Sequence, residues 1–344
     1  VTLPVFVDVD TGVDDAMALV YLFGSDDADV VAIASTAGNV PVQQVCRNNL
    51  GLLKLCGVDI PVSKGSEQPI SAPLRTAEDT HGPEGIGYAR LPATDRKLTT
   101  YDAAEAWALA AQAYPGELIG VATGPLTNLT LALRREPALP TLLRRLVIMG
   151  GAFDYRGNTT PVAEWNISVD PEAAAEVFAA WGSAWGSSAP THLPIVLGLN
   201  LTENIAMTPA LLNRLATTAE SSSIPMSVLD DRGTRSVASN PLIAVLEDAM
   251  RFYFEFHFDQ DEGYLAHLHD PLAAAVALDP DLVMCRPTTI DVELTGTLTR
   301  GMTIADWSNR WGREPNALIG VGVDPKAFFD RFIARVGAFA RRLS

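Results

Sequence analysis

Apolar and polar positions in the first half of the chain follow two alternating periods. Short β-branched runs at residues 4–10 (PVFVDVD), 30–35 (VVAIAS), 60–63, 118–122 and 146–149 read as strands. Between them, 3.6-residue patterns predict helices over 14–23 (closed by Gly24), 42–56 and 126–135. Such alternation predicts parallel strands joined by crossover helices. The strands lack polar alternation, as expected when both sheet faces are covered. Asp170-Pro171, Asp270-Pro271 and Asp324-Pro325 look like helix starts, each with Asp at the N-cap and Pro at the first helical position. The pattern turns mostly helical over 202–258, with a long helix from Pro241, and a last helix covers 325–343. Loops at 65–96 and 150–165 are long for a compact domain, which points to binding work. No repeat or linker divides residues 1–344. The expected fold is one α/β domain with a mainly parallel, Rossmann-like central sheet flanked by helices, its site at the carboxyl ends of the strands.

Composition then narrows the class. The chain is 48% hydrophobic, ample for a core, but no stretch approaches the ~18 apolar residues of a membrane span. A net charge of −16 with no Lys/Arg-rich run speaks against a nucleic-acid polymer, whose binding draws on cationic contacts to phosphate. That acidity suits a neutral or cationic ligand, or a hard metal ion. Three cysteines (Cys46, Cys56, Cys285) show neither metal spacing nor a C-x-x-C pair and read as reduced residues. The segment after Val1 runs straight into a strand without a secretory pattern, so a cytoplasmic protein is expected.

The strongest local signal is Asp8-Val9-Asp10-Thr11-Gly12-Val13-Asp14-Asp15, four carboxylates within eight residues where a strand passes into a helix. Asp8 and Asp10 would share one strand face. Repulsion among them needs an offset, which a hard divalent cation such as Ca²⁺ supplies through oxygen ligands. The plainer reading makes Asp14 an N-cap and Asp15 a first-turn charge, leaving Asp8 and Asp10 unexplained. The same string fits the D-x-D-x-T signature of haloacid-dehalogenase-type Mg²⁺ phosphatases, with Asp8 as nucleophile. That reading lacks a well-placed lysine and a late acidic pair.

DVDTGVDDA resembles the D-x-D-P-G-x-D-D-A signature of the nucleoside hydrolase family, with Thr11 where proline is usual. Matching blocks follow in order: Gly38-Asn39, Thr123 to Asn128 (TGPLTN), Met149-Gly150-Gly151, Asn158 to Asn166 (NTTPVAEWN), His269-Asp270-Pro271, and Thr295 to Thr303. The resemblance implies Ca²⁺ bound by Asp10, Asp15, the Thr123 carbonyl and Asp270, with Asp10 also the general base that activates a Ca²⁺-bound water. It implies that Asp14, Asn39, Asn158, Glu164 and Asn166 hold the ribose hydroxyls, with Met149 against the sugar. His269 matches the histidine near the leaving base and His81 the family's histidine-glycine loop. Implied too are a small ribonucleoside substrate, a homodimer or homotetramer, and a mobile helical segment at 220–268 over the nucleobase pocket.

These residue types suit the chemistry. N-glycosidic hydrolysis passes through an oxocarbenium-like ribosyl cation. It calls for an activated water, acidic surroundings for the sugar, and a proton for the departing base. A histidine of ordinary pKa meets the last need. His269, with no aromatic in its place, points to a broad or inosine/uridine preference. His257 and His267, near Tyr253 and Tyr264, either line the nucleobase pocket or form one amphipathic helix face. A non-catalytic nucleoside-binding protein is the remaining alternative, against which the intact Asp10 argues.

Overall fold

Among the described residues, eleven strands carry the architecture: β1 Leu3–Val9, β2 Ala28–Ser35, β3 Val62–Lys64, β4 Leu118–Ala122, β5 Leu143–Met149, β6 Ile195–Leu197, β7 Ala206–Met207, β8 Ala266–His267, β9 Val283–Val292, β10 Thr303–Asp306 and β11 Ala317–Val323. The structure is a computed structural model that describes residues 2–186 and 188–343. Nine strands form one sheet in the order β10-β9-β11-β6-β5-β4-β1-β2-β3, and β7 and β8 pair separately. From β3 to β11 the neighbours run parallel, whereas β9 and β10 close the other edge antiparallel. The expected single α/β domain with a mainly parallel sheet is therefore observed.

Strand order reverses between β1 and β4: β1, β2 and β3 step one way and β4, β5 and β6 the other. At such a switch point the loops after the two strands diverge and leave a crevice at their carboxyl ends. Asp10 follows β1 and Thr123 follows β4, so both stand at this crevice. Alternate residues of β1 serve two cores. Val5, Val7 and Val9 pack with Met17, Leu272 and Phe332, while Phe6 packs with Trp107, Leu129 and Val177.

Most predicted elements appear within two or three residues of their expected bounds, including helices Val13–Phe23, Val42–Cys56, Thr127–Arg135 and Pro325–Arg341. Three expectations need correction. The C-terminal strands were not foreseen, because β9 holds a polar Arg-Pro-Thr-Thr run and is half-exposed near the sheet edge. The region 202–258 is less helical than expected: helix Pro209–Thr218 is followed by residues 221–240 without helix or strand, then by helix Pro241–Asp259.

The third correction concerns caps. Asp170 and Asp324 accept from backbone N–H groups of their helices, as expected. Asp270 does not, since its helix already begins at His269. Asp14 is likewise no N-cap; helix Val13–Phe23 starts from Gly12, whose N–H donates to the Asp15 carboxylate at 2.9 Å. Both carboxylates are thereby released from helix duty. Helix His269–Leu278 is buried along its whole length and packs on helix Val13–Phe23. This contact brings residues more than 250 positions apart in the chain to one place. Among the described residues no helix is long and apolar enough to cross a membrane.

Candidate active site

The acidic cluster forms where these elements meet. Ligand atoms of Asp14, Asp15 and Asp270 lie within 4.8 Å of one another, all buried. Asp10 adjoins them: Asp15 and Asp14 raise its pKa, and its own charge raises that of Asp270. Asp10 Oδ2 accepts from the Asn39 N–H at 2.8 Å, whereas its buried Oδ1 has no partner. Asp15 is held by Gly12 N–H, by Asn39 Nδ2 at 3.2 Å and by Thr123 Oγ1 at 2.7 Å. Burial is the main force pushing all four pKa values up, with mutual repulsion adding to it at Asp10, Asp14 and Asp270. Asp14 reaches about 7. Four buried carboxyl groups with raised pKa values and an orphaned oxygen are a set that a hard cation fits. The Thr123 carbonyl, though it accepts from Asn166 Nδ2 at 2.6 Å, keeps a second lone pair.

Asp8 belongs elsewhere. Its carboxylate accepts from Trp107 Nε1 at 2.7 Å and Asn128 Nδ2 at 2.9 Å, in the opposite core from the acidic cluster. It does not share a site with Asp10, because β1 ends at Val9 and the chain turns. A carboxylate so enclosed is no phosphoryl acceptor, which removes the phosphatase reading. Thr11, in place of the usual proline, donates to Asn49 Oδ1 at 2.5 Å, and its carbonyl accepts from Asn48 Nδ2. Side-chain bonds to helix Val42–Cys56 hold the turn that a proline ring would otherwise stiffen.

The remaining expected residues surround the cluster. Glu164 caps helix Trp165–Val169 and accepts from the N–H groups of Asn166, Ile167 and Gly151; burial nevertheless lifts its pKa to about 7. Asn166 also donates to the Met149 carbonyl at 3.2 Å, at the end of β5. Asn39 is committed to Asp10 and Asp15, a positioning role that its sequence context did not reveal. His81 Nδ1 accepts from Val13 N–H at 3.1 Å, so its proton sits on Nε2; burial, then the nearby His257, lowers its pKa to about 3. Gly12 is required here, since a Cβ would lie 2.6 Å from both Asn39 Nδ2 and His81 Nδ1.

A cleft of about 430 Å³ opens beside this network, lined by Asn158 and His269 from the expected set. Asn158 is turned partly inward to its own loop, its Oδ1 accepting from Trp165 N–H at 2.9 Å. His269 Nδ1 lies 2.7 Å from Thr202 Oγ1. An ordinary histidine pKa does not hold for His269. Burial, then the charges of His267, His257 and His81, drive it well below the usual value, so the ring is neutral. The cleft also holds Tyr253, Glu203, Arg156, His257, Glu262 and His267. Of these, the sequence had suggested only the two histidines and Tyr253. The H-x4-E-x4-H spacing of 257–267 was the available signal for Glu262. Glu203 and Arg156 form an ion pair at 2.9 Å that no local pattern announces.

Residues 5–330 match the family model described as inosine-uridine preferring nucleoside hydrolase. The chain is 35% identical to the pyrimidine-specific ribonucleoside hydrolase RihA of Citrobacter koseri, over 98% of this chain and 99% of that one. Among solved structures, a purine-preferring ribonucleoside hydrolase from Gardnerella vaginalis superposes with a TM-score of 0.85 at 29% identity, covering 98% and 99% of the two chains. A plant nucleoside hydrolase, PpNRh1, gives 0.85 at 30% identity, covering 98% and 100%.

Proposed function

Because the chain belongs to the inosine-uridine preferring nucleoside hydrolase family, we propose that it hydrolyses ribonucleosides to ribose and free nucleobase, with Asp10 as general base and His269 assisting the departing base. The observation that carries this reading is the cluster of three buried carboxyl groups, Asp14, Asp15 and Asp270, adjoined by a buried Asp10 that keeps one unpartnered oxygen.

Asp10, Asp15, Asp270 and the Thr123 carbonyl would hold Ca²⁺; of these, Asp15 and Asp270 cluster with Asp14, and Asp10 adjoins that cluster. Every donor is oxygen, the preference of a hard cation. When bound, such a cation offsets the carboxylate repulsion and makes a neighbouring water more acidic. Asp10 takes the proton of the water that attacks the anomeric carbon. Its Oδ2 is fixed by Asn39 N–H, leaving Oδ1 as the free acceptor. Ribose hydroxyls donate and accept, so Asp14, Asn39, Asn158, Glu164 and Asn166 offer matched partners, while Met149 and His81 bound the sugar space. Positive charge that builds on the sugar is favoured by its acidic surroundings.

His269 starts neutral and donates from Nε2 if Thr202 donates to its Nδ1. Negative charge growing on the departing base strengthens the hydrogen bond it accepts from Nε2 as the glycosidic bond breaks, which places the assistance in the transition state. Residues 220–268 are read as a mobile cover, consistent with the stretch 221–240 that lacks helix and strand. The three free cysteines support a cytoplasmic enzyme, and the family resemblance a homodimer or homotetramer.

The test is ribose release from inosine, uridine and cytidine, with and without a calcium chelator. Asp10→Ala is expected to lower turnover by about 10²–10⁴-fold with unchanged circular dichroism. His269→Ala should slow natural nucleosides far more than a nitrophenyl riboside, whose leaving group needs no proton. Ribose release that survives complete chelation removes the metal reading. Nucleoside binding without any ribose release points instead to a non-catalytic binder.

A further inference from the structure

In the cleft wall, away from the acidic cluster, His257, Glu262 and His267 present three ligand atoms within 4.8 Å of one another. His257 Nδ1 lies 2.6 Å from Glu262 Oε2, and His267 Nε2 lies 3.8 Å from the same oxygen. The second distance is too long for a hydrogen bond. His267 Nδ1 is buried without a hydrogen bond of good geometry, although the ring interacts with the Glu203 backbone. An under-bonded buried polar group is stabilised by a ligand that satisfies it.

We propose that His257, Glu262 and His267 form a second metal site, for a borderline transition ion of the zinc class. Two imidazoles and one carboxylate are a donor set that zinc accepts, with its fourth position open to the cleft. Zn–N and Zn–O bonds of about 2.0–2.1 Å put tetrahedral ligands about 3.4 Å apart. The observed 2.6 and 3.8 Å bracket that spacing and the two histidine ligand atoms lie within 4.8 Å, so side-chain adjustment completes the site. The other Glu262 oxygen is held by Arg156 at 3.0 Å, which orients the carboxylate as an outer partner does in metal sites. Arg156 also pairs with Glu203, so this group carries net negative charge before any ion binds. Softness separates the two sites: the all-oxygen cluster prefers calcium, whereas the imidazole pair prefers zinc, copper or nickel. An ion held here stands beside His269, whose ring lies 5.7 Å from that of His267. On the activity proposed above, zinc at this position inhibits by occupying the leaving-base space.

The experiment saturates the protein with millimolar Ca²⁺, then titrates Zn²⁺ against a chromophoric chelator and, separately, Co²⁺ followed by visible absorption. One zinc per chain at about micromolar Kd or tighter is expected, with the strong visible bands of four-coordinate Co²⁺. Glu262→Gln and His267→Ala, checked for native melting, should each weaken uptake at least about tenfold. No uptake by the calcium-saturated protein, or uptake unchanged in both variants, overturns the site. The Co²⁺ spectrum of the unaltered protein decides the matter even if a variant fails to fold, since weak six-coordinate bands alone also overturn it. Zinc that binds while ribose release continues undiminished overturns the inhibitory role. Zinc uptake by a protein that releases no ribose leaves this site standing and removes the proposed activity instead.

Discussion

Asp10 and Asp8 stand two positions apart and have opposite fates, decided by the donors that reach each one. Asp8 receives two buried N–H donors and anchors the core, although burial still lifts its pKa to about 7. Asp8→Ala should leave Trp107 and Asn128 with unpaired buried donors. A loss of about 2–5 kcal/mol is expected, read as a lower urea midpoint at unchanged slope. The acidic cluster carries a pH signature of its own. In the metal-free protein its pKa values are raised by burial and, at Asp10, Asp14 and Asp270, by mutual repulsion; Asp14 reaches about 7. Across the window from the ordinary 3.8 to about 7, the folded state therefore holds more protons than the unfolded chain. Stability from these groups is present below that window and is lost as pH rises through it. Denaturation series at stepped pH should show this decline without metal. Calcium binding, which needs ionised carboxylates, should strengthen over the same rise and release protons. Titration calorimetry in buffers of different ionisation heat reads that release; no proton release would contradict the assignment.

Helix ends explain which carboxylates were spared for chemistry. Three Asp-Pro pairs look alike in sequence, yet only two cap. Asp170 shows how strongly a cap can be tied in: Oδ1 accepts from Ala173 N–H, and Oδ2 from Ile70 N–H at 2.9 Å and Thr127 Oγ1 at 2.6 Å. It joins the long loop, helix Thr127–Arg135 and helix Pro171–Ala184. Asp170→Ala should cost about 2–4 kcal/mol, the sum of a lost cap and orphaned donors, in chemical denaturation. Asp270 differs because its helix begins at His269, two residues before the proline, so its carboxylate turns to Asp14 and Asp15 instead. Sequence spacing cannot separate the two cases, since a two-residue shift in helix start depends on packing of the preceding segment. Gly38 shows a related dependence. A Cβ there would collide with the Asp10 carboxylate, so Gly38→Ala is expected to weaken metal binding well before it unfolds the protein.

On the scale of the whole molecule, the cation would act as a clasp between chain ends. Asp10, Asp14 and Asp15 follow the first strand, and Asp270 lies on a helix that packs against the first helix. Binding to the folded state alone stabilises by about 2.7 kcal/mol at a ligand concentration 100-fold above Kd. Calcium should therefore raise the melting temperature and a chelator lower it, and Asp270→Asn should remove most of that response. A melting temperature indifferent to both would mean that the carboxylates do not share an ion.

Strand and helix identity in the first half of the chain, the parallel α/β class and the acidic motif were legible in the residues alone. Each rests on local periodicity or short-range spacing, and those are properties of a segment. The resemblance added the set of site residues, because their order along the chain survives in a linear string. Tertiary structure alone decided that Asp8 leaves the acidic group, that Asp270 does not cap, and that His269 is held neutral. It also decided that Asn39 and His81 brace the first turn, and that Glu262 stands between two histidines. Those outcomes depend on burial and on partners tens to hundreds of residues away, quantities that exist only once the sheet has closed and its helices have packed.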